Sequence, residues 1–427
     1  MMPHGSDVDR RVPKNRGDRR GVRREQVKRL FRRALSFGFP LLPILALLSA
    51  CDWLSIAPPA PPSGLSATGA LGVIHISWTG GGPVVGHNIY RSTDNVTFVK
   101  LNGDRVGGTS YDDAIASPEG DGVFYYYRIT AVDAEESGPS GTVRAIHGTR
   151  LAASYGDGFE SDAAASPYVL EGTTVVDGGD FVLQGGDRLY LLDNAVLDVE
   201  QGHDVTVNGL LRVLAASGAS HATITSHRVA APLRLGEGFS ITFSGADDFN
   251  PTDNSGTWLR NTLLSNLKSD QAIRFGNCSP RIENCKAISN LQTGVSAGTS
   301  YLSIEAGGGP ILRNCSFDFM TLEVVGGDPS ATTLAMDNNI FTNSYYSVSF
   351  RDLAGPGVNP GQIANNVFDG RKTAYLWNVT GANVPMENNF WSGASAAPTI
   401  TAGGFSTATY SFYPALSAAP PSAGPDW

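Results

Sequence analysis

The sequence predicts an all-β protein in which a β-sandwich is followed by a parallel β-helix. Two observations carry that expectation. The 427 residues include Gly 50 and Pro 25, which break up stretches rich in Val, Thr, Ser and Asn. That composition favours many short strands and turns over long helices. A short phrase also recurs through the C-terminal half, of the form apolar, polar, Asn, any residue, apolar or nearly so.

The phrase occurs at Leu259-Arg260-Asn261-Thr262-Leu263, Ile282-Glu283-Asn284-Cys285, Leu312-Arg313-Asn314-Cys315, Met336-Asp337-Asn338-Asn339-Ile340, Ile363-Ala364-Asn365-Asn366-Val367 and Met386-Glu387-Asn388-Asn389-Phe390. The marking asparagines are Asn261, Asn284, Asn314, Asn338, Asn365 and Asn388, at intervals of 23, 30, 24, 27 and 23 residues. That period fits one coil of a β-helix. Coils stack at the inter-strand distance, about 4.8 Å, so like residues lie over like. The marking asparagines are therefore expected to turn inward at a bend and form a hydrogen-bonded ladder. Asparagine also tolerates the left-handed backbone that a sharp bend needs.

Earlier short runs, such as Phe181-Val182-Leu183, Leu189-Tyr190-Leu191 and Val205-Thr206-Val207, keep a related rhythm without asparagine. From Val207-Asn208-Gly209-Leu210-Leu211 to Ala222-Thr223-Ile224-Thr225-Ser226 the pattern resembles the first coils of right-handed β-helix surface proteins. The resemblance to that pectin-lyase-like superfamily spans residues 169–415. It implies a right-handed architecture and leaves enzyme and non-enzyme alike open. A coil cannot stretch, so the longer intervals predict loops, around residues 298–301 and 307–309 and again around 355–357, that wall a groove.

The N-terminal region reads as an export signal. Residues 1–50 hold 12 Lys+Arg and 4 Asp+Glu, which leaves 19 basic and 36 acidic groups, a net of -17, on the remainder. An apolar run from Ala34 to Leu48 follows the basic head, short for a membrane span and interrupted by Pro40 and Pro43. It ends in Leu48-Ser49-Ala50-Cys51, which resembles the bacterial lipobox. The resemblance implies cleavage before Cys51, lipid on its thiol and a place in the cell envelope facing periplasm or exterior. Asp52 resembles an inner-membrane retention signal in some Gram-negative lipoproteins. The basic head exceeds what such a signal needs, as a start near Val27 would explain. The acidic remainder repels phosphates and argues against a nucleic acid partner.

Residues 52–62 form a Pro-rich linker, with Ala57-Pro58-Pro59-Ala60-Pro61-Pro62 an extended spacer. Over residues 63–148, Ile74, Ile76 and Trp78 alternate with His75 and Ser77, and Tyr125, Tyr127, Ile129 and Ala131 form a second alternation. Strands at this spacing predict a β-sandwich. The segment resembles a fibronectin type III domain: Trp78 stands at the second-strand tryptophan, and Tyr125 is placed for the tyrosine corner. His87 departs from the tyrosine more usual there and is expected to be packed or half-exposed. Residues 149–168, rich in Ala, Ser, Asp and Gly, read as a connector, and 416–427 as a Pro-rich tail.

Cys285 and Cys315 share one slot in adjacent repeats and are expected as two buried thiols; Cys278 is left over. No spacing resembles a zinc site, and no cofactor is implied, with calcium entering only for lyase-like chemistry. Polygalacturonase-like hydrolases need paired aspartates and a Gly-His-Gly segment; the only adjacent aspartates in this region are Asp247-Asp248, and no histidine follows His227. The Asp-Pro-His-Glu of alginate-epimerase-like proteins is absent, Asp328-Pro329-Ser330 stopping short. Asp352 beside Arg351, and Asp369 with Arg371, are the candidate catalytic groups, and a solvated bend is the competing account. Tyr345, Tyr346, Tyr375 and Trp377 follow their asparagine markers at similar distances and are candidate sugar-stacking residues. The leading expectation is a membrane-tethered, non-catalytic scaffold that binds a glycan or surface protein. A polysaccharide lyase or glycoside hydrolase, and a structural adhesin, are the alternatives.

Overall fold

The computed structural model describes residues 57–80, 82–227, 237–290, 300–305, 307–327, 334–344, 346, 348–353, 362–370, 373–377, 383–392, 399–403, 409–411, 415–416, 418–421 and 423–427. Cys51 and the export signal lie outside these residues, as do Tyr345, Arg371 and the predicted loop at 355–357.

Period-two alternation produces the sandwich. In β2 (Val73–Thr79), Ile74, Ile76 and Trp78 are buried while His75, Ser77 and Thr79 face solvent. Beside β2 lie β1 (Ser63–Ala70) and β5 (Ser110–Ala114), forming a three-stranded antiparallel sheet. The facing sheet has the order β4 (Val99–Lys100), β3 (Gly86–Ser92), β6 (Tyr125–Val132) and β7 (Val143–Ala145). His87 is packed, its ring meeting Trp78 edge-on at 5.1 Å. The Tyr127 hydroxyl donates to Asp113 at 2.7 Å, and burial together with that acceptor pushes the phenol far above its ordinary value. Tyr125 lies beneath the Arg91 guanidinium, 5.2 Å from its ring centre.

The β-helix starts earlier than the composition of residues 149–168 implies. β8 (Thr149–Arg150), β9 (Ser154–Tyr155) and β10 (Phe159–Glu160) pair in parallel with the strands above them and make a first coil where a connector was expected. The chain enters this coil at Gly148, φ +139°, where an added Cβ would lie 2.7 Å from the Pro167 carbonyl oxygen. Only glycine fits there. Later coils repeat three strands, and the last lacks the first-sheet strand, giving first, second and third sheets of nine, ten and ten strands among the described residues. The fold is a right-handed parallel β-helix.

Like residues stack over like inside it. Phe317, Phe341, Phe368 and Trp391 form a continuous ring stack with centroid spacings of 4.7, 5.2 and 4.6 Å. Each such pair adds about 0.5–1.5 kcal/mol beyond the area it buries.

The asparagine ladder is offset by one residue from its expected place. All six marking asparagines adopt φ between 49° and 60° and make the bend. Asn365 and Asn388, however, face solvent. A left-handed residue reverses the chain's direction, so the next side chain is the one that points inward. The inner row is therefore Thr262, Cys285, Cys315, Asn339, Asn366 and Asn389, all buried. Asn339 Nδ2 donates to Asn366 Oδ1 at 2.9 Å, and Asn366 Nδ2 to Asn389 Oδ1 at 3.1 Å. The Cys315 backbone N–H joins the row, donating to Asn339 Oδ1 at 2.9 Å. One outer rung exists, from Asn284 Nδ2 to Asn261 Oδ1 at 2.6 Å. Cys278, Cys285 and Cys315 are free and buried, and burial, with Cys285 beside it, pushes the Cys315 thiol up.

The expected tail runs back over this corner. Leu416 N–H donates to Asn389 O at 3.0 Å and Gly424 N–H to Asn338 O at 2.8 Å. The Trp427 ring stacks on His221 at 4.4 Å, with Lys286 Nζ 4.4 Å from its centre.

Sandwich and β-helix meet without a free linker. Ile146, Val169, Tyr190, Leu192 and Leu210 form a shared apolar cluster. Beside it Asp121, with a side chain only 3% exposed, lies 3.0 Å from His147 Nε2 and also contacts Arg188. Pro59–Trp427 forms one compact unit.

Candidate functional site

The third sheet places its polar residues in one outward row. In each strand a charged or polar residue sits between two buried apolar ones: Ile273-Arg274-Phe275, Leu302-Ser303-Ile304, Leu322-Glu323-Val324, Val348-Ser349-Phe350 and Ala374-Tyr375-Leu376. Alternation turns the middle residue outward. Parallel register then lines up Arg274, Ser303, Glu323, Ser349 and Tyr375 on successive coils, with Ser303, Glu323 and Ser349 buried within the row. One step along the strands, Arg351 stands beside Trp377.

Two ion pairs order the middle of this face. Arg274 Nη2 donates to Glu305 Oε2 at 2.9 Å, and its Nε contacts the second oxygen of the same carboxylate. Glu323 accepts from Ser303 Oγ at 3.0 Å and from Arg351 Nη1 at 3.3 Å. The Glu323 side chain is 3% exposed, while Arg351 remains 44% exposed. Burial alone lowers the Arg351 pKa, but the Glu323 carboxylate outweighs it and holds the guanidinium above its ordinary value. A buried charge left without its partner is strongly unfavourable, so Arg351 and Glu323 fix one another.

An aromatic run borders these pairs. Tyr346 and Tyr375 stack with centroids 5.2 Å apart, and Tyr375 and Trp377 lie 6.4 Å apart with planes 14° from parallel. Trp377 is 39% exposed. Tyr346 and Tyr375 are half-buried, and the exposed Trp377 ring can offer an apolar face to the C–H groups of a sugar, with the paired guanidinium groups keeping N–H donors for its hydroxyls.

Of the sequence candidates, Tyr346, Tyr375 and Trp377 come together on this face. Asp352 is on the same sheet, exposed, with φ +55° and within electrostatic reach of Arg351. Asp369 is on the second sheet, where it accepts from the Ser392 hydroxyl. Asp352 and Asp369 thus belong to different faces. Ser300 and Tyr301, expected in a loop, are strand residues of the third sheet. Arg274, Ser303, Glu305 and Glu323 were not singled out from the sequence, although a lone polar residue between two apolar ones marks all but Glu305. Among the described residues, no group of three or more His, Cys, Asp or Glu side chains is arranged to hold a metal ion.

No protein-family description and no curated protein matches this chain. Among solved structures, a pectate lyase from Erwinia chrysanthemi in complex with tetragalacturonic acid aligns over 82% of this chain and 91% of its own, at 10% identity and TM-score 0.18. A family 28 exopolygalacturonase from Yersinia enterocolitica aligns over 82% and 85%, at 10% identity and TM-score 0.20. A β-1,2-glucanase from Parabacteroides distasonis aligns with 22% of this chain at 30% identity and TM-score 0.19, and the chain spans 13% of that protein's length. Identities and scores of this size carry no inference about activity. The fold stands on the strand pairing described above.

Proposed function

We propose that this protein is an envelope lipoprotein, tethered through Cys51, whose β-helix binds a glycan along the outer face of its third sheet. The observation that carries the binding role is the stacked Tyr346–Tyr375–Trp377 run, half-buried at the tyrosines and open at Trp377, bordering the Arg351–Glu323 and Arg274–Glu305 pairs. Basic head, short apolar run and Leu48-Ser49-Ala50-Cys51 support the tether, and the sandwich, which resembles fibronectin type III, serves as a spacer. Acidic and neutral polysaccharides stand side by side in the ligand panel, because both guanidinium groups of the face are already paired with carboxylates, Arg274 with Glu305 and Arg351 with Glu323.

Affinity electrophoresis of the full chain against acidic and neutral polysaccharides tests the binding role. Trp377→Ala is expected to weaken binding roughly fivefold, matching about 1 kcal/mol for one lost ring contact. Binding that survives Trp377→Ala and Tyr375→Ala unchanged would refute the assignment of this face. Cys51→Ser is expected to move the protein from the membrane to the soluble fraction.

Cleavage of the bound chain is a second reading, favoured by one observation: Glu323 is a buried carboxylate held between a hydroxyl and a guanidinium. It requires new reducing ends, or unsaturated products absorbing in the ultraviolet, that disappear in Glu323→Gln.

A further inference from the structure

Three arginines of the first sheet converge on a single indole, on a different sheet from the aromatic run. Arg212, Trp258 and Arg281 occupy one register position on successive coils, and Arg260 is two residues on from Trp258. Their guanidinium carbons lie 5.7 Å (Arg212), 5.1 Å (Arg260) and 5.0 Å (Arg281) from the Trp258 ring centre. Phe249, from the turn joining the third sheet to the first, meets Trp258 edge-on at 5.6 Å and also underlies Arg281 at 5.1 Å. The turn is braced by backbone bonds from Thr257 to Asp247 and from Asn250 to Ser255, each 3.0 Å.

The charges of this cluster are not balanced. Arg281 pairs with Glu283 at 2.8 Å. Arg212 feels the exposed Asp253 only at a distance, and among the described residues neither Arg212 nor Arg260 forms an ion pair. Burial lowers the Arg212 pKa, and the charge of Arg260 lowers it further. The Trp258 indole N–H and the Nε–H groups of Arg260 and Arg281 are buried without an acceptor. Every unmet group here is a donor or a cation. An unpaired buried donor costs about 1–3 kcal/mol, so an incoming anion relieves both the like-charge repulsion and the electrostatic part of that cost. The patch is also a local inversion, because the chain beyond residue 50 carries a net of -17.

We propose that this arginine cluster is a second binding surface, distinct from the third-sheet face, that takes the carboxylates of an acidic polysaccharide. Guanidinium forks match planar carboxylates in a two-point fit. The cationic positions climb the helix axis one coil at a time, about 4.8 Å per step, so an extended polymer with spaced carboxylates can follow them. A strongly acidic body repels a continuous anionic surface such as a phospholipid leaflet. A single flexible chain reaches the patch through local contacts, and this favours the polysaccharide.

The test uses the full chain carrying Cys51→Ser, Trp377→Ala and Tyr375→Ala in detergent-free buffer, so that neither the lipid nor the third-sheet face contributes. A galacturonate hexamer, its fully methyl-esterified form, sodium sulfate and phosphatidylglycerol vesicles are the probes, and calorimetry and tryptophan fluorescence are the readouts. The charged hexamer is expected to bind, with affinity falling as salt rises, and the ester to bind at least tenfold more weakly. Arg260→Ala and Arg260→Gln are each expected to weaken the hexamer tenfold or more without lowering the thermal midpoint, since each removes an unpaired cation. Arg260→Lys is expected to recover only part of the affinity. Equal binding of hexamer and ester overturns the proposal, as does hexamer binding indifferent to both Arg260 variants. Absence of hexamer binding, whether or not vesicles or sulfate bind, also overturns it.

Discussion

Asparagine plays two roles at adjacent positions of each late coil. The first residue makes the bend by its backbone, as at Asn365, φ +58°. The second fills the interior by its side chain, as at Asn366, which accepts from Asn339 and donates to Asn389 and two carbonyls. The two roles separate under mutation. Asn366→Ala strips acceptors and donors from a dry interior and is expected to cost about 2–4 kcal/mol of unfolding free energy. Asn365→Ala retains the interior and loses left-handed tolerance, about 1–2 kcal/mol, together with an exposed hydrogen bond to Asp337 at 3.0 Å; Asn365→Gly recovers the first and not the second. Denaturant titration of the three variants checks the order. The bend was legible in the sequence because spacing alone reveals it. The direction of the following side chain was not, because it depends on the backbone turn that the marker itself creates. Glu323 and Arg274 escaped for another reason: an isolated charge in an apolar strand carries no motif, only an outward position.

At the scale of elements, two-residue strands were the hardest to read. β8, β9 and β10 sit among Gly, Ala and Ser with too few apolar positions to show a period, so the first coil resembled a linker. They form because the coil above supplies a complete edge for them to pair with. The seam between the sandwich and the coils that follow the first has a measurable alkaline limit. Burial, with Asp121 nearby, pushes the Tyr190 phenol up to about 12, against about 10 in an unfolded chain. The neutral buried phenol therefore contributes fully below pH 10, and that contribution is lost as pH rises through about 12. Stability is expected to fall across this window by up to about 3 kcal/mol more in the native protein than in Tyr190→Phe. Chemical denaturation at stepped pH, with phenolate absorbance in parallel, checks it.

Across the whole molecule, the unit from Pro59 to Trp427 is expected to melt as a single body because the sandwich shares a core and an ion cluster with the first coils. Asp121→Ala leaves His147 and Arg188 without their buried partner. It is expected to cost about 3–5 kcal/mol and to divide one calorimetric transition into two, the sandwich separating from the β-helix. A β-helix is otherwise nearly one-dimensional, since each coil contacts little beyond its neighbours. In such a stack, loss of order starts as a crack between two coils. The inner row changes there from sulfur to amide, with Cys285 and Cys315 on one side and Asn339, Asn366 and Asn389 on the other. With Cys278 replaced by serine, the two thiols are consequently a built-in fracture gauge: an alkylating reagent reaches them only when the coils around them part, and their labelling rate times how often they do.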